Sequence, residues 1–177
     1  MARYGMLINT KKCVGCFACR LACQAKNHLT PHESFIKFHE LEQGTYPHVY
    51  AEIVPSQCMH CEDAPCEKVC PTHATYTTES GVVLVDEGRC VGCKYCMAVC
   101  PYDARIQIEE TGVIEKCRFC WDGEEDPKPA CVSTCVSGAR IFGDLDDPES
   151  EICKEIARLN AQPIASNLSN AKIYYVR

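Results

Sequence analysis

The sequence predicts an α+β fold of short helices and small antiparallel strands, and three observations predict it. Sixteen of the seventeen cysteines fall into four groups of four. Short strand-like stretches lie between and beside the groups. The unit of quartet, short helix and strand recurs along the 177 residues. Hydrophobic residues make up 46 % of the sequence, but many of them are these cysteines. Cross-links through sulfur are therefore expected to supply part of the order that a larger apolar core would give.

The strand candidates are Tyr4–Asn9, His48–Val54, Gly81–Asp86, Ala104–Glu109 and Gly112–Lys116. A short helix is expected after each quartet. Group one is Cys13, Cys16, Cys19 and Cys23, followed by Gln24. Group two is Cys58, Cys61, Cys66 and Cys70, followed by Pro71. Group three is Cys90, Cys93, Cys96 and Cys100, followed by Pro101. Group four is Cys117, Cys120, Cys131 and Cys135, followed by Val136.

Groups one and three follow C-x₂-C-x₂-C-x₃-C, the run of bacterial ferredoxins that binds [4Fe–4S] clusters. Three thiolates on one tight loop bind three corners of a cube. Gly15 and Gly92 let the backbone turn closely around it. The fourth Cys lies past the loop on a short helix that points away, so it ligates the other cube of a pair. A following proline ends that helix. Groups two and four carry longer inserts, Glu62 to Pro65 and Trp121 to Ala130. Closure cost grows slowly with loop length, so each still closes one cube. Zinc sites separate two C-x₂-C pairs by a spacer and do not run three Cys at i, i+3 and i+6. A disulfide framework needs an oxidising compartment. No C-x₃-C-x₂-C triplet for a radical enzyme with an open iron occurs.

Four [4Fe–4S] clusters are thus expected. Groups two and three are close neighbours, which is the spacing of one two-cluster module; groups one and four form the flanking pair. The ligand sets are then Cys13, Cys16, Cys19 and Cys135; Cys117, Cys120, Cys131 and Cys23; Cys58, Cys61, Cys66 and Cys100; and Cys90, Cys93, Cys96 and Cys70. Two bacterial-ferredoxin-like modules follow. The outer one spans 1–57 and 102–143, with Gln24–Gln57 as an excursion. The inserted one spans 58–101. A C-terminal extension, 144–177, adds a helix and an extended end, Ala171–Val176.

All sixteen ligands close their cubes and leave no open iron for a substrate. The expectation is an electron carrier with no catalytic residue on this chain. The formal net charge of −6 argues against a nucleic-acid partner. No apolar run approaches 18 residues, so no direct membrane insertion is expected. The first ten residues hold no long apolar region and no twin-Arg pair. The protein is expected to be a soluble peripheral subunit of a prokaryote, cytoplasmic or exported with a partner, and membrane-associated only through that partner.

Gln57-Cys58-Met59-His60-Cys61, Ala64-Pro65-Cys66 and Val69-Cys70-Pro71 resemble the second motif of the four-cluster electron-transfer subunits of the dimethyl sulfoxide reductase family. Lys116-Cys117-Arg118-Phe119-Cys120, with Cys131 and Cys135, resembles their fourth motif, and Gly143 to Pro148 their C-terminal region. The resemblance covers nearly the whole sequence. It implies a large molybdenum or tungsten bis-pterin catalytic partner and, in many members, an integral-membrane anchor subunit that exchanges electrons with quinone. Val136 stands where relatives often have proline, which should alter the helix exit but not ligation. The short length favours the smaller, peripheral members. The competing readings are a hydrogenase ferredoxin subunit, a free polyferredoxin, and a structural or assembly protein whose clusters never turn over.

Lys12, Arg89 and Lys116 precede a quartet, and Arg20, Lys94 and Arg118 lie inside one. Each oxidised site is near −2, about +2 for the core and −4 for its thiolates. These cations are therefore expected to raise cluster potentials, against a reading as ordinary solvated charge. His60 is read as a spacer or hydrogen-bonding residue, and His28, His32, His39 and His48 as surface residues or partner contacts. Trp121 opens an acidic insert read as a solvated loop, with docking to another subunit as the alternative. Cys153 is read as a packed free thiol on a helix that starts with Pro148 at N1 after an Asp cap.

Overall fold

The computed structural model describes residues 2–123, 127–165 and 169–177. β1 (Tyr4–Asn9) is buried along its whole length. Tyr4, Met6 and Ile8 enter the cysteine-rich core, and Leu7 packs behind the sheet against Ile152 of the C-terminal helix. Alternation in a strand makes this possible, because apolar residues occupy both faces of β1. β1 pairs antiparallel with β8 (Arg140–Asp144), Met6 opposite Phe142. On its other side it pairs parallel with β10 (Ile173–Val176), Met6 opposite Ile173, and β9 (Gln162–Pro163) closes the sheet.

Three hairpins complete the strands: β2 (Lys37–Thr45) with β3 (His48–Ser56), β4 (Thr75–Thr77) with β5 (Val83–Val85), and β6 (Ile106–Gln107) with β7 (Ile114–Glu115). Each quartet has a strand before and after it. Each strand after one quartet pairs with the strand before the next, and β8 pairs back to β1 as though the polypeptide were circular. Midway along β3, Glu52 accepts hydrogen bonds from Thr10 Oγ1 (2.7 Å) and Arg177 Nη2 (2.9 Å), joining the hairpin to segments near both ends of the sequence.

The short helices lie inside the quartets, not after them. α1 (Ala18–Lys26), α2 (Pro65–Lys68), α3 (Tyr95–Ala98) and α4 (Ala130–Ser133) each begin one residue before the third cysteine. α1 packs against α4, and α2 against α3. Cys70, Cys100 and Cys135 lie just beyond their helices, whereas Cys23 lies within α1, which runs on through Gln24 where groups two and three have proline. The expected change of exit at Val136 does not occur. Val69, Val99 and Thr134 cap their helices at nearly the same angles (ψ −1°, −7° and −3°). The same turn then follows, with His73, Asp103 and Gly138 at positive φ. The turn hydrogen bonds fix the exit, so the proline is dispensable there.

Further differences are local. The observed strands at Val83, Ile106 and Ile114 are shorter than expected, and β2, β4, β8 and β9 lie outside the expected set. α5 (Glu151–Leu159) starts later than Pro148. Asp147 accepts from Glu149 N–H in a turn of its own, leaving Ser150 as the cap that accepts from Cys153 N–H. Cys153 is half-buried and its thiol faces the carbonyls of Asp144 and Leu145. Among the described residues no helix is long and apolar enough to cross a membrane.

Candidate cluster sites

Three cysteine-lined cavities are present. Cys13, Cys16, Cys19 and Cys135 line one. Cys58, Cys61, Cys66 and Cys100 line a second. Cys70, Cys90, Cys93 and Cys96 line a third. Cys23, Cys117, Cys120 and Cys131 form a fourth group: Cys131 and Cys120 act on Cys23, and Cys23 and Cys131 on Cys117. In every group the fourth cysteine of one run stands with the first three of another. The paired helices α1 with α4 and α2 with α3 bring this about. Among the described residues, no three or more His, Cys, Asp or Glu side chains converge on a point where a single metal ion would sit. The cysteines spread around the walls of a space instead.

The loops carry the backbone that such a space needs. Gly15 and Gly92 take φ +64° and +65°, and His60 and Phe119 occupy the equivalent places at +44° and +54°. Left-handed residues turn successive N–H groups inward, a geometry that receives negative charge. Ala74 N–H donates to Cys70 Sγ (3.2 Å) and Ala139 N–H to Cys135 Sγ (3.3 Å), four residues on in both cases. Side chains add donors: Ser169 Oγ to Cys61 Sγ (3.0 Å) and Asn27 Nδ2 to Cys23 Sγ (3.5 Å). Burial, with neighbouring cysteines, pushes the thiols of Cys23 up to about 12 and of Cys61 and Cys131 up to about 11. At Cys70 and Cys135 burial acts the same way, but the donors around each sulfur outweigh it and hold the thiol below its ordinary value. Taking up metal as thiolate therefore releases protons that burial otherwise retains.

The flanking cations are placed unevenly. Lys12, Arg89 and Lys94 are exposed, though Lys94 also lines the cavity of Cys70, Cys90, Cys93 and Cys96, and Arg20 and Arg118 are part-buried. Arg89 pairs with Asp86, and Arg118 with Glu115 and Glu87. Of the six flanking cations only Lys116 is buried, its Nζ bound by the carbonyls of Val83 and Cys117. The other buried cations, Arg105, Arg140 and Lys172, were not singled out from sequence. A signal existed: Ala104-Arg105 and Ala139-Arg140 stand at the same offset after Cys100 and Cys135. His28, His32, His39 and His48 are exposed, as expected. His60 is fully buried and stacks on Phe119 with centroids 3.6 Å apart. Burial first, then Lys116, holds it well below its ordinary value, and neutral Nδ1 accepts from Val83 N–H. Trp121 is not a solvated side chain: it is part-buried and packs on Tyr4 at 5.8 Å. Residues 124–126 of that acidic insert lie outside the described residues.

Four thiols per space, left-handed loop residues and buried cations fit a thiolate-bound iron–sulfur cube with net negative charge. Comparison with known proteins agrees. Two family models, each described as a 4Fe-4S dicluster domain, match residues 49–145 and 12–74. A protein of Halobacterium salinarum named as an iron–sulfur component of dimethyl sulfoxide reductase is 36 % identical, over 99 % of this chain and 79 % of its own length. The iron–sulfur family also includes a component of tetrathionate reductase from Salmonella typhimurium, 44 % identical over 85 % of this chain, which spans 61 % of that relative. A component of polysulfide reductase from Wolinella succinogenes is 40 % identical, over 88 % of this chain and 83 % of its own length. Four quartets across two dicluster matches make four [4Fe–4S] clusters.

Proposed function

Since this protein belongs to the iron–sulfur electron-transfer subunits of the dimethyl sulfoxide reductase family of molybdopterin oxidoreductases, we propose that it is a two-ended wire with no catalytic site of its own. The clusters supply one-electron transfer; the polypeptide orders them and controls access. The proposed ligand sets are those expected from sequence: Cys13, Cys16 and Cys19 with Cys135; Cys117, Cys120 and Cys131 with Cys23; Cys58, Cys61 and Cys66 with Cys100; and Cys90, Cys93 and Cys96 with Cys70. Each set's shared surroundings support it. The outer module, 1–57 and 102–143, then holds two cubes, the inserted module, 58–101, the other two, and 144–177 is an extension whose last strand joins the outer sheet.

One observation carries the wire reading. Cys16 and Cys93 are exposed, and they belong to different modules, while Cys58, Cys61, Cys66, Cys23, Cys117 and Cys131 of the other two groups are buried. Cys58 acts on Cys117, and Gln57 Nε2 donates to Cys117 Sγ at 3.7 Å, so the two buried groups adjoin. Apolar residues rim both ends: Val14, Leu21 and Val136 near Cys16, and Val91 and Tyr95 near Cys93. One end meets a large molybdenum or tungsten bis-pterin catalytic subunit. The other meets the electron donor or acceptor, an integral-membrane anchor where the complex has one.

The test is an assay of the cluster-replete protein with and without its large partner. Alone, it exchanges electrons with a viologen dye and turns over no substrate. With the partner, dye oxidation is coupled to substrate reduction. Substrate turnover by the protein alone overturns the reading.

A further inference from the structure

Among the described residues, two buried arginines have no carboxylate counter-charge. Arg105 is 2 % exposed and Arg140 4 %. Both terminal nitrogens of Arg105, and Nη2 of Arg140, lack a hydrogen-bond partner. Among the described residues, neither arginine forms an ion pair with a carboxylate. A guanidinium stays protonated in proteins, so burial cannot neutralise it. An uncompensated buried charge is strongly destabilising. Something that the protein binds must offset that cost.

Their positions say what. Arg105 lines both the cavity of Cys58, Cys61, Cys66 and Cys100 and that of Cys70, Cys90, Cys93 and Cys96. The sulfurs acting most strongly on it are Cys66 and Cys96, the third cysteines of two runs. Arg140 repeats this arrangement. It lines the cavity of Cys13, Cys16, Cys19 and Cys135, and its Nη1 lies 3.9 Å from Cys131 Sγ. The sulfurs acting most strongly on it are Cys131 and Cys19, again third cysteines. Gln57 Oε1 accepts from the same Nη1 at 2.7 Å and fixes the fork. Both arginines are the fifth residue after a fourth cysteine, and the matching places after Cys70 and Cys23 hold Thr75 and His28. Each pair of sites therefore has one such arginine, placed between its two members.

We infer that Arg105 and Arg140 are paired-cluster tuning residues: each donates N–H groups toward sulfur of both cubes of its module and sets the two potentials together. The inference rests on the ligand sets proposed above. The physical sense is fixed. Adding an electron makes a cube more negative, a nearby cation stabilises that state, and low local dielectric enlarges the effect. Removing the cation therefore lowers both potentials of one pair. Neither arginine is an iron ligand, so their role is positioning of charge.

The experiment is a potentiometric titration of the intact complex, followed by electron paramagnetic resonance, on Arg105→Gln, Arg140→Gln and the corresponding Lys variants. Arg105→Gln is expected to lower two of the four midpoint potentials, each by a tenfold or greater fall in the reduction constant, about 59 mV for one electron. Arg140→Gln lowers the other two. The Lys variants recover most of the shift. Wild-type complex carrying ¹⁵N-arginine is expected to show ¹⁵N hyperfine coupling on reduced clusters, which needs no variant to fold. Four retained clusters with unmoved potentials, a shift confined to one cube, or absent arginine coupling overturns the inference. Wild-type iron far from sixteen per polypeptide fails the cluster reading itself, a distinct result.

Discussion

Gly92 and Gly15 occupy the same place in two cluster loops with nearly the same φ, yet they are constrained differently. A Cβ on Gly92 would meet the Gly112 carbonyl oxygen at 2.8 Å, which is backbone. A Cβ on Gly15 would meet only the tip of the Ile53 side chain, at 2.4 Å, and that tip can swing away. Both alanines carry the left-handed cost of roughly 1–2 kcal/mol; only at Gly92 does a backbone clash add to it. Gly92→Ala is expected to bleach cluster absorbance at clearly lower denaturant than Gly15→Ala. Equal midpoints would show that the Gly112 approach does not matter. His60 and Phe119 take the same left-handed place without being glycine, and their mutual stacking inside the core accompanies the backbone they adopt. Sequence could place the glycines in the turns. It could not pair His60 with Phe119, because 59 positions separate residues that only the joining of two runs brings together.

At the scale of elements, the strands illustrate what hydrophobic pattern can and cannot report. β1 was legible in full because six consecutive buried residues leave a dense signal. β2 was not, because most of Lys37–Thr45 is exposed and its sequence is polar; its partner strand β3 alone carried a pattern. β8 escapes a pattern reading because its alternation is interrupted by Gly143, which sits against Ile152 where a Cβ would approach to 3.1 Å. The extended end at Ala171–Val176 was expected, but its place beside β1 was not. Ile173 is fully buried there, opposite Met6. Ile173→Ala is expected to destabilise the cluster-bearing protein by about 2–5 kcal/mol, the usual range for such a core truncation. Tyr46→Ala, at the 92 % exposed hairpin tip, should change it by less than about 0.5 kcal/mol. Denaturant midpoints followed by visible absorbance compare the two. If Ile173→Ala matched Tyr46→Ala, the last strand would be a dispensable appendage.

For the whole molecule the question is how four quartets are joined. Cys135 stands beside the N-terminal run while Cys117, Cys120 and Cys131 gather with Cys23. If the proposed sets hold, Cys135→Ala and Cys13→Ala perturb the same resonance signal, and Cys117→Ala perturbs a different one. Shared behaviour of Cys135→Ala with Cys117→Ala would mean that each quartet binds its own cube. Iron and acid-labile sulfide in the anaerobic complex should each be about sixteen per polypeptide, four of each per cube. A reproducible value near twelve would remove one quartet from the wire. Such wiring also explains a polypeptide whose ends meet: the first strand, the strand after Cys135 and the last strand share one sheet.

By itself the sequence determined the chemistry. Thiolate spacing is local, so sixteen cysteines at fixed offsets specify cubes wherever they lie in space, and they also announce the electron-carrying role. It also placed a strand before each quartet, at β1, β3, β5 and β7, but not β2, β4 and β8 after three of them. Tertiary structure decided what depends on distance across the molecule. It brought Arg105 and Arg140 in among third cysteines of separate runs, drew Lys172 under the Gly81 carbonyl, and left the flanking cations Lys12 and Arg89 in solvent. A charge next to a cysteine in sequence can point outward from a tight loop, whereas a charge five residues beyond it returns through the turn into the space between two sites. Proximity in the sequence gathers three cysteines of each run; packing brings the fourth from another run and fixes the field that acts on them.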